Sequence, residues 1–287
     1  KVRLNVVLPA SDYALEGVTI REMHRQTGQN VRIQSEQAKL MPTATGNAVE
    51  ELIATQAGVS SHNELSSQYN VRGGSFDENS VYVNGIEIYR PLLVSSGQQE
   101  GLSFVNSDLT AGIKFSAGGF EAKYGDRMSS VLDVEYKKPT KLGGSLSASL
   151  LGCSGHIEGS VKDKFTFLAG VRFKSNAYLF KTMDTKGDYK PWFLDAQLLM
   201  TYKPIKKLEI SLLGNFAVNR YLFVPSDRTA VFGSLSSTLS RYTVYYTGQE
   251  VDKYENYLGA LTFKYLADED NTYKFILSSY YAREAET

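Results

Sequence analysis

Glu209-Ile210-Ser211-Leu212-Leu213-Gly214-Asn215-Phe216-Ala217-Val218-Asn219 alternates with a period of two. Residues that alternate in this way stand on opposite faces of a strand. The β-prone run extends from Leu208 to Phe223, longer than most globular strands. The same period recurs in Ser145-Leu146-Ser147-Ala148-Ser149-Leu150, in Phe165-Thr166-Phe167-Leu168-Ala169-Gly170-Val171-Arg172-Phe173, and from Leu194 to Tyr202. Tyr257, Gly259, Leu261, Phe263 and Tyr265 share one face of a later segment, and Tyr273 to Tyr281 form the last. Segments of about ten residues, apolar on one face and polar on the other, fit tilted strands that cross a membrane. The polar faces, with Arg172, Asp195, Gln197, Asn215 and Asn219, are then expected to line the lumen.

The connections agree. Lys162-Asp163-Lys164, Pro204-Ile205-Lys206-Lys207 and Asp268 to Thr272 read as tight turns, whereas Lys174 to Trp192 and Pro225 to Val251 are long. The first strand pair closes tightly near Gly152-Cys153. Outer-membrane barrels alternate short periplasmic turns with longer extracellular loops. A soluble β-sandwich also alternates, but rarely with strands as long as Leu208 to Phe223 and ringed by aromatics at their ends. Aromatic use supports the barrel: 10 aromatic residues fall in residues 1–139 and 24 in residues 140–287. Amphipathic rings concentrate where apolar and wet surroundings meet.

Composition excludes several other classes. The 287 residues carry 31 basic and 31 acidic side chains, which gives no broad basic field for nucleic acid. Residues 1–139 hold 13 basic against 16 acidic residues, and residues 140–287 hold 18 against 15, a mild asymmetry. No stretch approaches 18 consecutive apolar residues, so no spanning helix is encoded. Cys153 is the single cysteine, which excludes an internal disulfide framework. No phosphate-binding Gly-rich loop and no nucleophile elbow appear, so no catalysis is expected. His24, His62 and His156 are scattered. His156 and Glu158 share a strand face, but two ligands without a third make a poor zinc site. Asp77-Glu78-Asn79 lacks the spaced ligands of a calcium loop. Neither metal nor cofactor is expected.

The first half is α+β in character. Residues 1–10 read as the last strand of a domain preceding the chain, and residues 11–40 as a linker. Asn47 to Ala54 reads as a short helix. Tyr69-Asn70-Val71-Arg72-Gly73-Gly74 reads as a strand ending in a glycine turn. Val81 to Ile88 is a hairpin around Asn84-Gly85, a strong short-range turn signal. Ile113 to Phe120 and Ser130 to Tyr136 follow as β-prone segments, with Tyr124-Gly125 between them.

In this order and spacing, from residue 41 to residue 139, the motifs resemble the plug domain of TonB-dependent outer-membrane transporters. Val71-Arg72-Gly73-Gly74 matches the family's Arg-Gly turn, and Val83-Asn84-Gly85-Ile86 its Asp-Gly hairpin, with Asn84 in place of Asp. Ile113 to Gly119, Tyr124-Gly125 and Val131 to Val134 match the later plug segment, with Lys114 in place of Glu and without the Gly-Pro pair. The resemblance implies an α+β plug domain over residues 41–139, followed by an all-β transmembrane barrel. About seven of its strands lie in residues 140–287. A plug of about a hundred residues cannot fit an eight-stranded barrel but fits a lumen of about 22 strands, so the chain reads as the front part of a longer barrel.

The resemblance further implies the outer membrane of a Gram-negative bacterium and import of an extracellular ligand. Its partners would be outer-membrane lipid, a TonB-type periplasmic energy-coupling protein, an unknown small-molecule or oligomeric ligand and, optionally, a lipoprotein lid. A plugged-barrel scaffold of a secretion or assembly complex is the alternative. Leu15, Glu16, Gly17, Val18, Thr19 and Ile20 sit where the family keeps its TonB box, which couples by strand addition to the periplasmic partner. Arg72 with Gly73 and Gly74 is expected to be structural, with Arg72 available to lock plug to barrel through lumen carboxylates. Phe76, Asp77, Glu78 and Asn79, together with Tyr89 and Arg90, are candidates for ligand contact because loops on a rigid scaffold bind.

Overall fold

The computed structural model describes residues 30–34, 41, 47–61, 66–92, 102–162, 164–178, 187–232, 240–268 and 271–287. The expected TonB box at 15–20, the strand at 1–10, His24 and His62 lie outside the described residues.

The first unit has strands β1 (Asn30–Gln34), β2 (Val59–Ser60), β3 (Asn70–Val71), β4 (Asn79–Val83), β5 (Ile86–Glu87), β6 (Thr110–Ser116) and β7 (Ser130–Tyr136), with helix α1 (Ala48–Ala54). Five of them form one sheet in the order β1-β6-β7-β4-β5, and β2 pairs with β3 separately. The β4/β7 pair is parallel and its neighbours are antiparallel. The linker expected over 11–40 therefore holds a strand of this sheet, because Asn30–Gln34 pairs along β6. Its alternation is too short and too polar to read in isolation. In α1, Val49, Leu52 and Ile53 form one buried stripe, the spacing of an amphipathic helix. Glu50 and Glu51 occupy its first turn, where the helix dipole favours acidic side chains.

The second unit is a meander of β8 (Gly143–Ser149), β9 (Gly152–Val161), β10 (Phe165–Ser175), β12 (Trp192–Ile205), β13 (Leu208–Pro225), β16 (Glu250–Leu266) and β17 (Thr272–Glu286). The expected seven strands are present, each antiparallel to the next. The long connections carry structure of their own. β11 (Gly187–Tyr189) pairs with β13 just ahead of β12, so the loop expected over 174–192 is shorter than its composition suggested. Pro191, which has no N–H to donate, separates β11 from β12. β14 (Arg228–Phe232) and β15 (Ser240–Val244) form a hairpin between β13 and β16.

The outer face of the meander is layered. Phe263 opposes Ile210 and Phe275, Leu261 opposes Leu212 and Leu277, and Tyr257 opposes Phe216 and Tyr281. Aliphatic side chains thus lie between two aromatic rows. From Tyr265 to Tyr257 the strand runs about 27 Å at ~3.4 Å per residue, or about 20 Å of height at a ~40° tilt, close to the apolar band of a spanning barrel. No helix among the described residues is long and apolar enough to cross a membrane. The inner face is different: Arg172, Asp195, Gln197, Asn215 and Asn219 are all buried, as expected of a lumen filled by the first unit.

Candidate functional site: the seam between plug and barrel wall

Arg172 of β10 and Asp195 of β12 stand directly opposite in register on the inner face. Arg172 Nε and Nη2 donate to Asp195 Oδ2 at 2.9 and 2.6 Å. The remaining guanidinium donors cross to the first unit: Nη1 to the Val105 carbonyl at 3.0 Å and Nη2 to the Ser103 carbonyl at 2.7 Å. Gln197 Nε2 donates to the Phe104 carbonyl at 2.6 Å, and its Oε1 accepts from the Tyr136 hydroxyl at 2.6 Å. Asn215 Nδ2 donates to Asp195 Oδ1 at 2.5 Å. Three consecutive backbone carbonyls of the plug are therefore held by two barrel side chains. The guanidinium fork suits this task because it offers several directed donors on one buried charge.

The plug approaches the wall closely here. A Cβ on Gly170 would lie 2.9 Å from Leu109 Cδ2 and 3.2 Å from Asn106 Nδ2, so the smallest residue permits the contact. On the plug side, Asn47 ties α1 to the same segment, its Oδ1 accepting from the Ser103 amide at 2.9 Å. Glu50 of α1 is buried, and burial pushes its carboxyl up to about 7 against the pull of Ser103 and the Arg172 charge.

Two further contacts bracket the seam. At the end of the long connections, Arg90 forms an ion pair with Glu284 of β17, and the rings of Tyr89 and Tyr280 lie 6.5 Å apart. At the end of the short turns, Lys274 Nζ donates to the Asn84 carbonyl at 2.9 Å. Asn84 and Gly85 both have positive φ, 52° and 74°, the geometry of a tight hairpin turn. Asn84 Oδ1 also accepts from the Tyr136 amide at 2.9 Å, tying the turn to β7. A cavity of about 280 Å³ lies beside this turn, lined in part by Asp133, Lys137, Glu209, Lys264 and Lys274.

The other expected residues fall as follows. Arg72 and Gly73 form the turn after β3, with φ of 51° and 83°. Arg72 is exposed and makes no ion pair among the described residues, whereas barrel Arg172 holds plug carbonyls. Gly74 packs where a Cβ would meet Ser129 Oγ at 1.9 Å. Phe76 stacks edge-on against Tyr69 at 5.6 Å. Asn79 is buried, donating to the Tyr69 and Phe76 carbonyls and accepting from Ser130, so its amide serves the plug interior. Glu78 accepts from Ser129 Oγ at 2.6 Å, and that bond holds its carboxyl below the usual range. Asp77 and Tyr89 are exposed. Tyr124 donates to Asp133 Oδ2 at 2.5 Å, and burial foremost, then Asp133, pushes its hydroxyl up to about 12. Gly125 has open space around it. His156 and Glu158 both meet Lys137, at 3.4 and 3.7 Å, and among the described residues no cluster has a metal-ligand set.

Residues 24–130 match the family model described as the TonB-dependent receptor plug domain. The chain has the fold of the siderophore receptor PirA of Pseudomonas aeruginosa, at 17% identity and a TM-score of 0.50, over 91% of this chain and 51% of that one. It is also similar to a variant ferric enterobactin receptor of Pseudomonas aeruginosa in complex with enterobactin, at 14% identity and a TM-score of 0.52, over 90% and 46%. The PirA siderophore receptor of Acinetobacter baumannii matches at 12% identity and a TM-score of 0.50, over 89% and 48%. No curated protein sequence matches the chain. The chain spans about half the length of these solved structures. Residues 24–130 thus carry a plug domain of the TonB-dependent receptor type, and the strands that follow share the fold of part of these receptors' barrels.

Proposed function

We propose that the chain is the gate of an outer-membrane importer. A ligand enters from the side of the long connections. A periplasmic energy-coupling protein of the TonB type engages residues 15–20 by strand addition. Pulling on that segment releases the plug from the wall and opens a path. The observation that supports this reading is the seam: beside apolar contacts shared with the wall, the plug is held by hydrogen bonds to its Ser103, Phe104 and Val105 carbonyls. Such bonds are exchanged for water at a net cost of only about 0.5–1.5 kcal/mol each, more where a charge takes part. Tyr89 and Arg90, at the mouth beside Glu284, are proposed to meet the ligand. The work is done by binding and by the partner's pull, with no bond chemistry required.

The test is deletion of residues 15–20 from the full-length receptor. The deletion variant should insert and fold normally but lose capture by the purified periplasmic domain of the energy-coupling protein. Capture at wild-type level would refute the assignment of this segment.

A further inference from the structure

We propose that the cavity beside the Asn84-Gly85 turn is a binding site for a small organic anion, its charged head on the lysines of the rim and its apolar body on a leucine floor. The cavity lies at the short-turn end, away from Tyr89 and Arg90, and the proposal does not rest on the import reading. Its volume is about 280 Å³, between the plug turn and the inner face of the meander, close to the lower bound for a small-molecule pocket.

Strand register sorts its lining into three rows. Leu168 stands opposite Leu199, and Leu199 opposite Leu213. All three are buried and form the floor. Two residues nearer the short turns, Thr166 opposes Thr201, Thr201 opposes Ser211 and Ser211 opposes Thr262. Two residues nearer again, Glu209 opposes Lys264, and Lys264 opposes Lys274. The wall therefore passes from apolar through hydroxyl to charged. In the hydroxyl row, Thr201 and Ser211 bond each other at 3.1 Å. Thr262 is only 8% exposed, and its Oγ1 is buried without a hydrogen-bond partner among the described residues. A buried hydroxyl left unpaired is costly, and an oxyanion in the cavity would accept its proton.

Charge supplies the second argument. Among the described residues Lys123, Lys137, Lys138, Lys264 and Lys274 line the cavity, against Asp133, Glu135 and Glu209. Five cations against three carboxylates leave an excess of two positive charges. Two of the carboxylates are engaged: Asp133 accepts from Tyr124 at 2.5 Å, and Glu209 pairs with Lys203 at 3.5 Å. Lys138, Lys264 and Lys274 make no ion pair among the described residues. Like charges directly opposite across a strand pair repel, as Lys264 and Lys274 do. Lys123 and Lys138 of the plug add to that repulsion at Lys274, while Asp133 attracts it. An anion between plug and wall would turn the repulsion into attraction. Lysine binds phosphate as a point charge, and an apolar body over the three leucines would displace the water that a bare anion would leave there.

The test uses the full-length receptor in nanodiscs of zwitterionic lipid, with 1-naphthyl phosphate as probe in equilibrium dialysis. Wild type and Lys190→Gln, a control at the far end of the strands where Lys190 pairs with Asp188, should bind it equally. Lys264→Gln/Lys274→Gln should bind about tenfold more weakly, the effect expected from losing charge-assisted bonds. Lys138→Gln/Lys264→Gln should also weaken binding while leaving the Lys274 bond to the Asn84 carbonyl in place, which separates a ligand role from a structural one. Lys264→Arg keeps the charge and should retain most of the affinity. Heat-modifiable migration establishes that each variant is folded. Inorganic phosphate and 1-naphthol should each bind more weakly than the probe. Undiminished binding by both folded Gln variants would overturn the proposal. So would inorganic phosphate binding as tightly as the probe, since the floor would then play no part, or 1-naphthol doing so, since the lysines would not.

Discussion

Within the plug, Ile53, Val83, Leu132 and Val134 pack together with no exposed surface, whereas toward the barrel the plug offers the carbonyls of Ser103, Phe104 and Val105 to Arg172 and Gln197. The first region coheres by apolar burial, which is non-directional and scales with area. The second adds directed polar bonds, which water can replace, to apolar contacts such as that of Leu109 with Gly170.

The largest break in this contrast comes from a charge in the apolar region. Leu132→Asp buries an unpaired carboxylate and should abolish plug folding, seen as rapid proteolysis of residues 30–136 with the barrel still heat-modifiable. At the seam, Arg172→Ala leaves Asp195 buried without its partner, which costs about 3–5 kcal/mol. It should lower the denaturant midpoint for plug release. Arg172→Met/Asp195→Leu should recover most of that loss, as a double-mutant cycle would show.

Proton linkage sharpens the comparison next. Glu50 has its folded-state pKa raised from 4.5 to about 7 by burial, so the native plug binds more protons than the unfolded chain between these values. Stability should therefore fall as pH rises from about 4.5 to 7, by an amount on the order of 3 kcal/mol at most. Glu50→Gln should flatten that slope in plug-release titrations. At the short-turn end, Gly85→Ala places a side chain at positive φ, which costs about 1–2 kcal/mol. It also sets a Cβ 2.4 Å from Lys274 Nζ, so protection of the β4/β5 turn in hydrogen exchange should drop. The smallest effect is expected of Arg90→Ala. Its ion pair with Glu284 is more than a third exposed on both sides, so the loss should be at most about 1 kcal/mol and should shrink with salt.

Much of this arrangement is legible in the residues. The period of two places Arg172, Asp195, Gln197, Asn215 and Asn219 on the inner face, and Asn84-Gly85 marks the hairpin. The partners of Arg172 are not legible, because a backbone carbonyl has no side-chain signature and Ser103 to Val105 look like ordinary loop. Arg72 sits in a recognisable motif, whereas no motif points to Arg172, whose partners only the fold brings together. Gly170 reads as one more small residue in a strand, and only the approach of Leu109 gives it a role. β1 and β11 are too short for periodicity to reveal, and pairing with β6 and β13 defines them.

Amide hydrogen exchange of the full-length receptor in nanodiscs, followed through graded denaturant, tests most directly whether the seam and the plug core are separate units. The seam amides of residues 103–106 should lose protection at lower denaturant than those of β4, β6 and β7, which should open later as one group. Loss of protection at the seam and in the core at the same denaturant concentration would contradict a plug that detaches as a folded body.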